Sequence, residues 1–183
     1  LVSRISYIHS GEHLVLDATT VRNLELVRNL RDGRTKDTLL DVIDFTVTAP
    51  GGRLLRSWLL RPLFDVGAIV ARQDAVAEAL GATIARRELR EVLKGVLDLE
   101  RLAGKIALAA APPRDFVALK NSLRLLPRVE RELGAFSAGV FKDMSGRWDN
   151  AADVADLVDR SILDEPAFLL TEGGIVRDGW NAE

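Results

Sequence analysis

Leu89, Val92, Leu93, Val96 and Leu97 fall at i, i+3, i+4, i+7 and i+8, a full match to one face of an α-helix. A strand cannot use that spacing, because its alternate side chains point to opposite faces. Similar stripes recur at Val66, Ile69, Val70, Val76 and Leu80, at Phe116, Leu119, Leu123 and Leu126, and at Val154, Ala155, Val158 and Ile162. A chain built from such stripes buries them by packing helix on helix. Hydrophobic residues make up 48% of the 183 residues, which is enough for a core, but aromatics are only 5%. The core must therefore come from Leu, Val, Ile and Ala, which favours helices over a sheet sandwich. The expected fold class is all-α, a multi-helix domain with one or two small β elements. The length sets one domain, or one domain with a small annex.

Caps and breakers place the elements. Asp17, with Thr19 or Thr20, starts a short helix over 21–30, and Thr38 caps the next. Asp65 caps a helix over 66–80 that ends at Gly81. Further helices are expected over 86–97, from Asp98, from Pro113 and over 151–163, with Pro127 kinking or restarting the chain. Residues 134–150 read as a loop or a loosely helical bend. His13 to Leu16 reads as a short strand, and residues 168–177 as a hairpin about Gly173-Gly174. The stretch from Leu39 to Leu63 reads as a helix, a β-branched run at Phe45-Thr46-Val47-Thr48, a breaker at Ala49-Pro50-Gly51-Gly52, and a second helix opened by Arg53. Pro50 removes a backbone donor, and Gly51 and Gly52 supply backbone angles that side chains forbid.

Chemistry is sparse. His9-Ser10-Gly11-Glu12-His13 spells an inverted zinc-peptidase motif, but that motif works only on a helix, and Gly11 and the strand-like Leu14-Val15-Leu16 oppose one. No metal ligand set and no catalytic residue is therefore assigned. Gly104-Lys105-Ile106 lacks the earlier glycine and the following Ser/Thr of a phosphate-binding loop. Asp98-Leu99-Glu100-Arg101 reads as a helix cap with an intrahelical pair. With 25 basic and 27 acidic residues, the net charge of −2 gives no global pull on a phosphate backbone. The absence of cysteine excludes disulfides and thiolate sites, and no apolar run approaches membrane-spanning length. The chain opens on Leu1 rather than Met, which reads as a piece of a longer protein.

Six segments, in order, resemble the MutS-type DNA mismatch repair family. They are Asp17-x-Thr19-x-x-x-Asn23-Leu24-Glu25-Leu26; Thr38-Leu39-Leu40 through Asp44-x-Thr46-x-Thr48-x-x-Gly51-x-Arg53-Leu54-Leu55-x-x-Trp58-Leu59-x-x-Pro62-Leu63; Arg72-Gln73-Asp74-Ala75-Val76; Asp98-Leu99-Glu100-Arg101; Pro113-Arg114-Asp115-Phe116; and Glu172-Gly173-Gly174-Ile175-Val176-Arg177 with Gly179-Trp180-Asn181. Pro50 stands where the family often has Met, and Trp180 where it has Tyr or Phe. The resemblance implies that residues 1–183 are the first part of a helical core, or lever, domain. Residues 1–13 would be a boundary segment and 164–183 a hairpin leading toward an absent DNA-gripping clamp. It implies a non-catalytic segment without a cofactor of its own, within a parent that uses ATP and Mg. The parent would bind mismatched double-stranded DNA, pair with a second copy, engage MutL and act in the cytoplasm, at the nucleoid in a prokaryote. The competing reading is a stand-alone helical scaffold for a partner protein.

Overall fold

The computed structural model describes residues 13–168, 171 and 173–180. The described residues form helices and two isolated antiparallel bridges, His13 with Leu63 and Ile162 with Val176, with no extended strand. The expected strand at His13 is thus reduced to one bridge, extended by the Leu14 N–H donating to the Pro62 carbonyl at 2.8 Å. The chain divides into two compact units, Leu1–Ala77 and Glu78–Glu183.

The first unit carries α1 (Ala18–Asn23), α2 (Leu39–Ile43), α3 (Ala49–Leu60) and most of α4 (Val66–Gly81). Helix α1 is shorter than the expected 21–30. Leu24 closes it and Glu25 turns into the left-handed region at φ 46, an unfavourable place for a helix to continue. Leu26, Val27 and Ala75 are buried here, whereas Val42, Phe45, Phe64, Val66 and Val76 are exposed.

The expected breaker at Ala49–Gly52 is instead the first turn of α3. Pro50 sits where a helix has no use for its missing N–H, and the side chain of Thr48 accepts from the Gly51 N–H. The β-branched run before it is irregular chain, since no partner strand lies beside it among the described residues.

The second unit carries the end of α4, then α5 (Thr83–Lys94), α6 (Leu99–Ala107), α7 (Pro113–Leu123), α8 (Leu126–Leu133), α9 (Gly139–Ser145) and α10 (Ala152–Ser161). Val92 of α5 packs with Val129 and Leu133 of α8, and Leu89, Leu93, Val96, Leu125, Phe141 and Trp148 close around them. Helix α7 packs against α6 and α10. Leu89, Val92, Leu93 and Val96 of the 89–97 stripe thus build the core, but Leu97 is exposed, because α5 begins and ends three residues early: Gly95 ends it. Pro127 restarts the chain in the first turn of α8. Within 134–150, α9 is a true helix, held because Phe141 stacks on Phe136 with ring centroids 4.6 Å apart. The antiparallel return at the end pairs Leu163 with Ile175 and Ala167 with Gly174. It therefore starts earlier than the expected 168–171 arm, and Leu169, Leu170 and Glu172 lie outside the described residues.

Leu133→Ala removes a side chain from the centre of the second unit. It is expected to cost about 2–5 kcal/mol of unfolding free energy, measured by urea denaturation with an unchanged slope.

Candidate functional site

The family-like residues form separate local devices. In the first, Asp17 caps α1: its carboxylate accepts from the Thr20 N–H at 2.6 Å, and this backbone bond, with help from the Thr20 side chain, holds its pKa below the ordinary 3.8. Thr19 and Asn23 ride on α1 as exposed positions. Glu25 then does two jobs. Its carboxylate accepts from the Leu30 N–H at 2.5 Å, and its carbonyl accepts from the Leu39 N–H at 3.1 Å. The Leu26 carbonyl takes the Leu40 N–H, and Thr38 takes the Asp41 N–H. The leading N–H groups of α2 are therefore satisfied by a turn far away in sequence. Thr38, only 1% exposed, also donates from its hydroxyl to the Thr35 carbonyl. Buried Asn29 ties down the intervening loop: its amide donates to the Lys36 carbonyl and its oxygen accepts from the Asp32 and Gly33 N–H groups.

The second device is the joint between α2 and α3. Asp44 accepts from both the N–H and the hydroxyl of Thr46, at 3.0 and 2.6 Å, and the hydroxyl bond is the main cause of its lowered pKa. The Thr48 hydroxyl faces Gly51. A Cβ on Gly51 would stand 2.9 Å from the Thr48 Oγ1, and one on Gly52 would stand 3.3 Å from the Thr46 Oγ1 and 3.5 Å from the Asp44 carboxylate. Neither glycine has a positive φ. These glycines are needed for space and not for unusual backbone angles, which corrects the expectation from sequence. Thr46, Thr48 and Gly51 thus come together in one closed turn. Arg53 follows on an exposed position of α3. Further along, the guanidinium of Arg72 lies 3.9 Å from the ring centre of Trp58, clipping α4 to α3.

In the second unit, Asp98 caps α6 by accepting from the Arg101 N–H at 3.1 Å. Glu100 lies in the first turn, where the helix dipole favours a carboxylate. Gly173 and Gly174 take φ of 71 and 64, a region that glycine enters without a Cβ clash.

Sequence reading missed the densest cluster. Lys120 of α7 is only 7% exposed, and its ammonium meets Asp159 of α10 at 2.9 Å and Asp164 at 2.5 Å. Arg177 donates to Asp164 at 2.8 Å and to the Asp159 carbonyl at 2.7 Å, and Arg124 meets Asp156 at 2.9 Å. Donating to Asp164 first and then to Asp159 raises the Lys120 pKa above 10.5. The Lys120 bond holds both carboxylates below 3.8, with Arg177 adding to the effect on Asp164. Beside it Ser122, fully buried, donates to the Ala118 carbonyl and accepts from the Leu97 N–H. A lysine four residues after Phe116, in line with an apolar stripe, was the available signal.

Nothing in these devices is a nucleophile placed beside a base. His9 and Glu12 lie outside the described residues, and among the described residues no group of His, Asp or Glu could hold a metal. No described helix is long and apolar enough to cross a membrane. The arrangement can cap, clip and clasp helices. It defines a helical core segment whose recognisable residues shape joints between elements. The family model described as MutS domain III matches residues 19–178, and the chain belongs to that family. It is 48% identical to the DNA mismatch repair protein MutS of Symbiobacterium thermophilum, over 100% of this chain and 21% of that protein. It is 41% identical to the MutS of Halothermothrix orenii, over 100% of this chain and 20% of that protein. The figure for the MutS of Methanothrix thermoacetophila is 39%, over 100% of this chain and 22% of that protein. The chain thus spans about a fifth of the length of these relatives.

Thr48→Ala is expected to cost about 1 kcal/mol through loss of the cap. Gly51→Ala displaces the same hydroxyl, so it destabilises the wild-type chain but stabilises the Thr48→Ala chain by up to about 1 kcal/mol through helix propensity. Chemical denaturation of the four variants checks the change of sign. The Lys120 cluster sets a pH window. Its carboxylates, with lowered pKa values, stabilise the fold above about pH 4 and lose that contribution as pH falls through their folded-state values. Its lysine, with a raised pKa, stabilises the fold below about pH 10 and loses that contribution above. Lys120→Met is expected to flatten both limbs of the stability–pH curve measured by thermal melts.

Proposed function

We propose that this chain is a coupling segment of a DNA mismatch repair protein, carrying conformational signals between mismatched-duplex binding and a distant ATPase. Membership of the MutS domain III family across residues 19–178 is the observation that carries this reading. In it, residues 1–183 are the first part of the helical core. Residues 164–183 lead toward a DNA-gripping clamp, and the segment itself does no chemistry. The parent binds mismatched double-stranded DNA, uses ATP and Mg, acts as a dimer, passes its signal to a MutL-type protein and works in the cytoplasm. Packed helices suit such a task because they move as near-rigid bodies about short joints. Coupling requires two arrangements that mismatch and nucleotide stabilise differently. The joint at Asp44–Gly52 fits that need: the threonine and aspartate hydrogen bonds fix its geometry, and two glycines leave no slack for a side chain.

The test uses the full-length protein. Gly51→Val is expected to leave ATP turnover without DNA within about twofold of wild type and to remove most of the mismatch-dependent change in turnover, a loss on the order of tenfold. Purified residues 1–183 are expected to hydrolyse no ATP. Mismatch-responsive turnover at the wild-type level in Gly51→Val rejects the joint, and ATPase activity in the isolated chain rejects the non-catalytic assignment.

A further inference from the structure

The returning segment 173–177 is attached to the helices of its unit by a few backbone bonds and by Arg177, whose guanidinium donates to the Asp164 carboxylate and, at 2.7 Å, to the Asp159 carbonyl. Asp164 stands just after α10 and accepts from Lys120 through one oxygen and from Arg177 through the other, at 2.5 and 2.8 Å. Lys120 belongs to α7 and is buried, whereas Arg177 belongs to the returning segment. That segment adds a few backbone bonds: the Leu163 N–H donates to the Ile175 carbonyl at 2.9 Å, the Arg177 N–H to the Ser161 carbonyl at 2.9 Å, and the Ala167 N–H to the Gly174 carbonyl at 3.3 Å. It brings little apolar burial, because the Val176 side chain is half exposed, Ile175 is only partly buried and two glycines precede it. The helices beneath keep independent support, since α5 and α8 share the Val92, Val129 and Leu133 core and α7 packs on α6 as well as α10.

An element held by few hydrogen bonds and an ion pair, on a core held by buried apolar contact, opens at lower free energy than the core unfolds. We propose that Asp164 is a positioning residue that clasps the returning segment 173–177 onto α7 and α10, and that this clasp opens as a unit while the helices stay folded. The clasp works by geometry. One carboxylate bridges a fixed cation on the helix and a cation on the returning segment, so removing either the bridge or Arg177 breaks the same ion pair, and removing Arg177 also breaks its bond to the Asp159 carbonyl. Its relevance to signalling rests on the proposed function, in which the chain beyond this segment leads to the part that grips DNA. The clasp itself does not depend on that reading.

The experiment is amide hydrogen exchange followed by NMR on the 183-residue chain. Asp164→Ala is expected to speed exchange at the Leu163, Ala167 and Arg177 amides about tenfold, leaving Val92 and Val129 within about twofold of wild type. Arg177→Ala should do at least as much at Leu163 and Ala167, because it also removes the bond to the Asp159 carbonyl, and the double variant should add little to Arg177→Ala, because both open one clasp. Asp164→Asn keeps an oxygen for one partner and should restore part of the protection. Wild-type exchange at the Leu163, Ala167 and Arg177 amides in Asp164→Ala overturns the clasp. Acceleration of Val92 and Val129 by the same factor also overturns it, because the segment and the helices would then open together. The outcome is read without DNA or nucleotide, so it stands apart from success or failure of the coupling role.

Discussion

The second unit depends on how a lysine is kept inside a helical core. Burying an ammonium is costly unless opposite charge and hydrogen bonds replace its water. Lys120 meets that requirement with Asp159 from the next packed helix and Asp164 from the chain just beyond it. The consequence is directional: α7 and α10 can pack in one register only, because sliding either one strands the cation. Apolar contact between Val92, Val129 and Leu133 supplies cohesion without that precision. Cohesion and register thus come from different chemistry in neighbouring parts of one unit.

The first unit solves its problems with caps. Helices α1 to α3 contain no buried residue, so little of their stability comes from a shared interior. They are defined at their ends instead, by Asp17, Thr38 and Thr48, each accepting from an N–H that the helix leaves unsatisfied. The carbonyls of Glu25 and Leu26 finish the start of α2. Short helices fixed by end contacts keep their positions through a few specific bonds, and each bond is sensitive to a single substitution.

Much of this was legible in the chain. The 3.6-residue period from Leu89 to Val96 identifies both a helix and its buried side, because packing follows period, while Leu97 falls beyond the helix and is exposed. Asp65, Asp98 and Pro113 mark helix starts through local chemistry that needs no tertiary partner. The family motifs were legible as well, but the jobs of their residues were less so. Pro50-Gly51-Gly52 has the composition of a breaker, yet it opens a helix, since proline costs nothing in a first turn and the glycines are required by the side chains of Thr46 and Thr48 across the joint. Helix α9 was hidden because what holds it is the Phe136–Phe141 contact and not a periodic stripe. Lys120 was hidden because its partners lie 39 and 44 residues away, beyond the reach of any local pattern.

The first unit also leaves Val42, Phe45, Phe64, Val66 and Val76 facing water. Combined with a net charge of only −2 and an isoelectric point near 5.8, this has a colloidal consequence. Like-charge repulsion between molecules is weakest close to that pH, while the apolar surface continues to attract. Solutions of the chain alone should therefore be least stable against self-association in mildly acidic, concentrated samples. Dilution or a shift to alkaline buffer restores dispersion without any change in the fold.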